Sequence, residues 1–359
     1  MEGNHIHINR WLLPLSWLYG VGTAIRNHLF DVGLLKSRSY PLPVINVGNI
    51  TVGGTGKTPH IEYLAQLLGK QMQVAILSRG YKRKSKGYVL AQTDTPMEQI
   101  GDESWQVKQK FPHAHVAVDG NRCRGIDRLL SDADTRNTQV ILLDDAYQHR
   151  YVEPGLNILL IDYNRIITDD YLLPAGRLRE SALGIYRAHI VVVTKCPRDI
   201  TPMGHRIVIQ TLKLKPYQQL FFSTFKYGEL SQLFGEGTKR IEKLRAEDMH
   251  TLLLTGIGNP QQMEQDLRRH LQNIRPLYYP DHHYYTPHDI AHINKTFATM
   301  SRPRIIITTE KDATKLKNAT GFSEEVRQSL YVLPTQVDFL RNESSTFNEN
   351  ILNYVHKNS

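Results

Sequence analysis

Cysteine is nearly absent: Cys123 and Cys196 are the only two in 359 residues, far apart and outside any CxxC pair. That scarcity excludes a disulfide framework and a cysteine-based zinc site, and it suits a reducing cytosol. Long apolar runs are missing as well. The most apolar stretch, RWLLPLSWLYGVGTAIRNHLF, places only 15 residues between Arg10 and Arg26, with Pro14 interrupting them. A membrane-spanning helix needs about 20, and no small-x-small site ends the stretch as secretory cleavage would require. The sequence also shows no internal repeat, low-complexity segment or nucleic-acid-binding motif, so nucleic acid is not an expected partner.

What is present is the composition of a folded soluble protein, 40% hydrophobic and 22% charged, at a length where two domains are the default. The net charge of +9 fits either a generally basic surface or attraction to an anionic partner. Trp11, Leu15, Leu18, Ile25 and Leu29 recur at helical spacing, with Arg26, Asn27 and His28 available for a polar side. This pattern predicts an amphipathic N-terminal helix, either lying in a membrane interface or packed on its own domain.

From residue 43 onward, short apolar runs alternate with polar helical stretches. The apolar runs are PVINVG, VAILS, HVAVD, VILLDD, NILLID and IVVVTK, several of them too short and too β-branched for helices. They predict a parallel sheet covered by helices on both faces, with ligands at the carboxyl ends of its strands. After Lys215-Pro216 the style changes, and HTLLLTGIGNP, RIIITTEKDA and LYVLP indicate a smaller α/β set. The expected organisation is an interface helix over 1–35, a P-loop core over 36–215 and a smaller α/β domain over 216–359.

The segment VGNITVGGTGKTP follows the first strand. It departs from the usual phosphate-loop pattern, because Thr51 stands where the first glycine should be. Gly53, Gly54, Thr55 and Gly56 still free the backbone to curl around phosphate oxygens at a helix start. Lys57 is expected to reach the β- and γ-phosphates, and the Thr58 hydroxyl to hold Mg2+. VILLDDAYQHR ends a strand in Asp144 and Asp145, where a metal-binding aspartate belongs in such folds, with Gln148 and His149 close behind. Asp102 and Glu103 in IGDESW, and Asp281, His282 and His283 in YYPDHHYY, carry little weight singly. Thr194-Lys195 resembles a guanine-reading motif, but Pro197 replaces its aspartate, which argues against GTP. On these residues alone, a lipid kinase, another small-molecule kinase and a nucleotide-dependent switch all remain open.

Taken together, LPLSWLYG, VGNITVGGTGKTP, SRGYKRK, GDES, DDAYQHR, LPAGRLRE, GIGNP, DHH and TTEKDATK, in this order, resemble the tetraacyldisaccharide 4'-kinase (lipid A 4'-kinase) family. The resemblance spans about residues 11 to 315 and includes the non-standard glycine loop. It implies ATP- and Mg2+-dependent phosphorylation of the 4'-hydroxyl of a tetraacylated glucosamine disaccharide 1-phosphate, giving the lipid IVA-type bisphosphate. The implied setting is peripheral, at the cytoplasmic face of the bacterial inner membrane, with the anionic acylated disaccharide as substrate and no obligate protein partner. By the same resemblance, Asp102 and His282 form the dyad that takes the hydroxyl proton, assembling as the domains close. Asp144 and Asp145 hold Mg2+ with Glu103 as a lesser candidate, and Arg79, Arg122, Gln148, His149, Arg179 and Glu180 face the substrate. Three positions depart from the pattern: Ala146 replaces the glycine after the paired aspartates, Ser104 replaces a proline, and His283 adjoins the dyad position.

Overall fold

The computed structural model describes residues 9–358, which form two compact units. The first comprises residues up to Phe225 together with those from Val337 onward; the second comprises Lys226–Gln336.

In the first unit the apolar runs become strands. They are β1 (Val44–Gly48), β2 (Val74–Ser78), β3 (Val89–Ala91), β4 (His115–Val118), β5 (Val140–Asp144), β6 (Leu156–Asp162), β7 (Ile190–Thr194) and β8 (Gln219–Tyr227). Pairing is parallel from β4 through β2, β5, β1, β6 and β7 to β8, and β3 pairs antiparallel with β4 at one edge. Both faces are covered. Val44, Ile141 and Leu143 enter one apolar cluster, while Ile45, Val140 and Leu142 enter the other. The alternation is that of a pleated strand whose two sides are both packed. β1 lies between β5 and β6, with Val47 opposite Asp144, so the loop after β1 emerges beside the acidic end of β5.

The second unit carries β9 (Leu230–Gln232), β10 (Thr238–Lys239), β11 (His250–Thr255), β12 (Ile274–Tyr278), β13 (Arg304–Thr309) and β14 (Leu330–Leu333), in the order β10-β9-β14-β13-β11-β12. β14, β13, β11 and β12 are parallel. The chain then returns to the first unit. β15 (Thr335–Phe339) joins the first sheet beside β8, and the helix Ser344–Asn358 buries Phe347, Ile351 and Val355 in its core. Full burial of such side chains is worth about 1.5–3 kcal/mol each.

The expected boundary near 215 and the assignment of 216–359 to one domain therefore differ from the compact units. β8 extends the first sheet, pairing Phe222 with Val193, because its phenylalanines complete the first core.

The N-terminal helix α1 (Leu13–Asp31) belongs to the first unit. Its polar side faces inward: Ser16 Oγ donates to the Leu172 carbonyl at 2.9 Å and Tyr19 Oη to the Arg179 carbonyl at 2.7 Å. Its apolar side faces outward, with Trp11 just before it 93% exposed, Trp17 70% and Leu18 61%. No described helix is long and apolar enough to cross a membrane.

Candidate active site

The loop after β1 runs through residues 49–56 into α2 (Lys57–Leu68). Its first part explains the missing glycine. Thr51 forms an antiparallel bridge with Leu178, flanked by Val52 N to the Arg177 carbonyl and Arg179 N to the Ile50 carbonyl, both 2.8 Å. A β-branched residue suits that extended pairing. The curl begins two residues later, with Gly53 at φ 110° and Gly56 at φ 87°. Gly56 starts α2, whose first amides have no intrahelical acceptor and form an anion-binding end. Lys57 and Thr58 are its first two residues.

Asp144 and Asp145 have different environments. Asp144 is buried at the end of β5. Burial first, then the charges of Glu103 and Asp145, push its carboxyl up to about 7 despite Lys57 and a hydrogen bond from Ser78. One oxygen, Oδ1, has no hydrogen-bond partner. Burial also acts to raise Asp145, but Lys57 and Arg179 outweigh it and hold that carboxyl below its usual range. Lys57 Nζ is 3.8 Å from Asp145 Oδ1, and Arg179 Nη1 is 3.0 Å from both carboxylate oxygens. Asp145 takes φ 52°, whereas Ala146 has no positive φ, so the substituted glycine position needs no glycine conformation.

The structure separates the expected substrate residues. Arg179 links Asp145 to Gln148, with Nη1 3.3 Å from Gln148 Oε1. Gln148 also donates to the Asn49 carbonyl and to Glu180 Oε1, both at 2.9 Å. Arg79 is exposed, and with Arg122 and Arg26 it helps burial hold His149 down to about 4, so the imidazole is neutral. His149 lines an open hollow of about 310 Å³ with Gly120, Asn121, Cys123 and Tyr151.

Two expected substrate contacts are instead internal. Arg122 is 2% exposed and donates to the carbonyls of Asp119, Asp144 and Asp145 at 3.1, 3.2 and 3.3 Å. Glu180 is 3% exposed and pairs with Arg187 at 2.8 Å. Arg122 braces the strand ends through these carbonyls, although its Nε has no hydrogen-bond partner, and Glu180 is held by Arg187 and Gln148.

Asp102 opens the helix Asp102–Lys110, is 5% exposed, and accepts from the Glu103 amide at 3.0 Å. It is placed by Gly101, whose φ of 84° and ψ of 157° are accessible essentially to glycine alone. Glu103, the next residue, is near enough to raise Asp144.

In the second unit, DHH follows β12. His282, at φ 60°, has Nε2 3.3 Å from Lys311 Nζ, and Lys311 also donates to Asp281 Oδ1 at 2.9 Å. The same Nε2 lies 3.8 Å from Asp281 Oδ2. His283 is engaged otherwise: Nε2 lies 3.0 Å from Asp289 Oδ2, and its ring stacks on Tyr279 at 4.7 Å. Asp289 also caps the helix Pro287–Ala298 through Thr286. That role makes His283 a structural anchor and leaves His282 the better candidate.

Among the described residues, no three His, Cys, Asp or Glu make a ready metal cage. Mg2+ is commonly held by one or two carboxylates plus phosphate oxygens and water. The orphaned Asp144 Oδ1 beside two further carboxylates fits that mode, since a cation there would relieve their repulsion.

Residues 8–356 match the family model described as LpxK, Tetraacyldisaccharide-1-P 4'-kinase. A tetraacyldisaccharide 4'-kinase of Phocaeicola vulgatus is 53% identical over 360 residues, covering 100% of this chain and 98% of that protein. Another, from Bacteroides fragilis, is 49% identical over 364 residues, covering 100% and 96%. The crystal structure of an "apo" form of LpxK from Aquifex aeolicus, in complex with ATP, superposes with a TM-score of 0.72 at 31% identity, covering 96% of this chain and 98% of that one.

Proposed function

Because this chain belongs to the tetraacyldisaccharide-1-P 4'-kinase family, we infer that it transfers the γ-phosphoryl group of ATP to the 4'-hydroxyl of a tetraacylated disaccharide 1-phosphate, the lipid A precursor. The observation that carries this reading is the phosphate loop of β1 beside the two carboxylates of β5, with Lys57 directed at Asp145. In phosphoryl transfer the protein supplies mainly position and countercharge.

Lys57 and the amides at the start of α2 take the β- and γ-phosphates. Thr58, Asp144 and Asp145 would hold Mg2+, with Glu103 in support; bound there, the ion neutralises charge on the transferring group. Asp102 and His282 are assigned the proton of the sugar hydroxyl, a task suited to a carboxylate and an imidazole. Arg79, Gln148, His149 and Arg179 are the groups left for the acceptor disaccharide, while Arg122 and Glu180 hold the strand ends behind them.

α1 supports an assignment to the membrane surface. Its polar face is committed to the protein and its tryptophans and leucines point away from it, the reverse of a helix exposed to water alone. A substrate whose acyl chains stay in a bilayer would be met at that surface, on the side where ATP is present. We assign the chain to the cytoplasmic face of the inner membrane on those grounds.

The test is phosphorylation with radiolabelled ATP in detergent micelles containing tetraacyl disaccharide 1-phosphate. A labelled lipid carrying a new 4'-monoester is expected. Bound ATP without any labelled lipid, across varied micelle compositions, would remove the proposed acceptor.

A further inference from the structure

Three consecutive carbonyls of the phosphate loop are held from behind by side chains that do not belong to the loop motif. Lys195 Nζ donates to the Gly54 carbonyl and, at 2.8 Å, to Asp162 Oδ2. Thr194 Oγ1 donates to the Thr55 carbonyl at 2.9 Å. His60 Nδ1 contacts the Gly56 carbonyl at 2.8 Å, while its Nε2 lies 3.2 Å from Ser223 Oγ. A carbonyl only accepts, so the bond to Gly56 places the ring proton on Nδ1. Asn49 Nδ2 adds a bond to Thr55 Oγ1 at 2.8 Å.

A trans peptide is planar, with its C=O and the following N–H pointing in opposite directions. Fixing the carbonyls of residues 54, 55 and 56 on one side therefore fixes the amides of 55, 56 and 57 on the other. The Thr55 amide is occupied by the Gly53 carbonyl at 3.1 Å; those of Gly56 and Lys57 lead directly into the anion-binding end of α2. We propose that Thr194, Lys195 and His60 act as positioning residues that hold the phosphate loop in its anion-binding form before nucleotide arrives. Lys195, with Asp162, is the central clamp.

Several features favour this over a merely filled space. Lys195 and Asp162 have side chains only 8% and 7% exposed, and an ammonium is an expensive group to bury without a task. Lys195 also takes φ 58°, a conformation unfavourable for lysine, and it turns the side chain inward from the end of β7. In a guanine-reading motif a lysine at this place would serve the base; here its ammonium is spent on the loop backbone. A loop ordered in advance loses less freedom on binding, and the gain is read in nucleotide affinity.

The inference rests on the kinase reading above, and its test separates the two. Full-length Thr194→Val, Lys195→Met and Lys195→Arg would be assayed in detergent for kcat and for both KM values, with ATP dissociation constants from calorimetry and melting curves as the folding control. Lys195→Met is expected to raise the ATP KM and Kd by about tenfold or more, equivalent to about 1.4 kcal/mol, with the lipid KM little changed. Thr194→Val is expected to raise them about threefold to tenfold, the effect of one neutral hydrogen bond. Lys195→Arg should recover part of the loss. Should Lys195→Met fail to fold with Asp162 left unpaired, Thr194→Val decides. A folded Thr194→Val with wild-type ATP affinity, or variants in which both KM values rise together, would overturn the proposal. Failure of the wild type to bind ATP would instead overturn the kinase reading.

Discussion

Replacing Gly101 by alanine tests how the buried carboxylate of Asp102 is placed. The glycine has φ 84° and ψ 157°, and a Cβ there would stand 2.8 Å from the Tyr81 carbonyl oxygen and 3.4 Å from the Gly80 carbonyl carbon. Both atoms are backbone, so relief requires the chain to move. An alanine forced into this region costs about 1–3 kcal/mol, and the contact adds to it, giving about 2–4 kcal/mol in all. For a unit of this size each kcal/mol lowers the melting temperature by about 2–4 °C, so a fall of about 4–16 °C is expected by scanning calorimetry. Movement of the backbone at 101 carries Asp102 with it, and a misplacement of about 1 Å can cost about a hundredfold in rate. The loss should appear in kcat far more than in the ATP KM. Gly22→Ala is the control: it lies within α1 with nothing near its would-be Cβ, and it should be neutral or stabilising by up to about 1 kcal/mol. A Gly101→Ala enzyme that melts with the wild type and turns over normally would refute the placement of Asp102 by this turn.

Asp102→Asn should lower kcat about 10²–10⁴-fold with ATP affinity retained, whereas Lys57→Met should impair both, as initial rates over a range of ATP will show. His60 gives a pH dependence of definite sign. Its folded pKa of about 4 lies below the ordinary 6.5, so the unfolded chain takes up a proton that the folded one refuses. Its contribution is intact above 6.5 and is lost as pH falls toward 4, by about 2 kcal/mol between about pH 7 and 5. Urea unfolding of wild type against His60→Gln at those two pH values measures the difference. Trp11→Glu combined with Leu18→Glu should abolish flotation with anionic vesicles while leaving the melting temperature unchanged, since both side chains are exposed. Retained flotation would remove α1 as the membrane contact.

Much of this molecule can be read in its sequence. The six runs expected as strands are β1, β2, β4, β5, β6 and β7, legible because burial on both faces keeps them almost wholly apolar; Asn46 of β1 and Asn157 of β6 are exceptions that bond each other at 2.8 Å. Short edge strands such as β3 and β10 escape that logic, and so does β12, whose IRPLY is only partly buried and contains proline. The loop and the paired aspartates follow from motif spacing, whereas Asp102 and His282 stand out only through the family resemblance. Arg122 and Glu180 were expected to face substrate, but a charge's direction depends on partners distant in sequence, here Asp144 and Asp145 for Arg122 and Gln148 for Glu180. The same blindness concealed Lys195, which reads as part of a failed guanine motif until its contact with Gly54 is seen. Asp162 ends an apolar run without any signal of its own, and His60 resembles an ordinary helix residue.

The return of residues 337–359 to the first unit bears on how the protein is made. Phe339, Phe347, Ile351 and Val355 share one core cluster with Ile45 and Val47 of the strand that leads into the phosphate loop. During synthesis, residues 226–336 emerge in one piece and can close their own core, while the earlier-made unit waits for its final strand and helix. The later-synthesised unit can thus reach its native state first. Until translation has passed Val355, the nascent kinase carries an unfinished apolar surface, a natural point of contact for a chaperone.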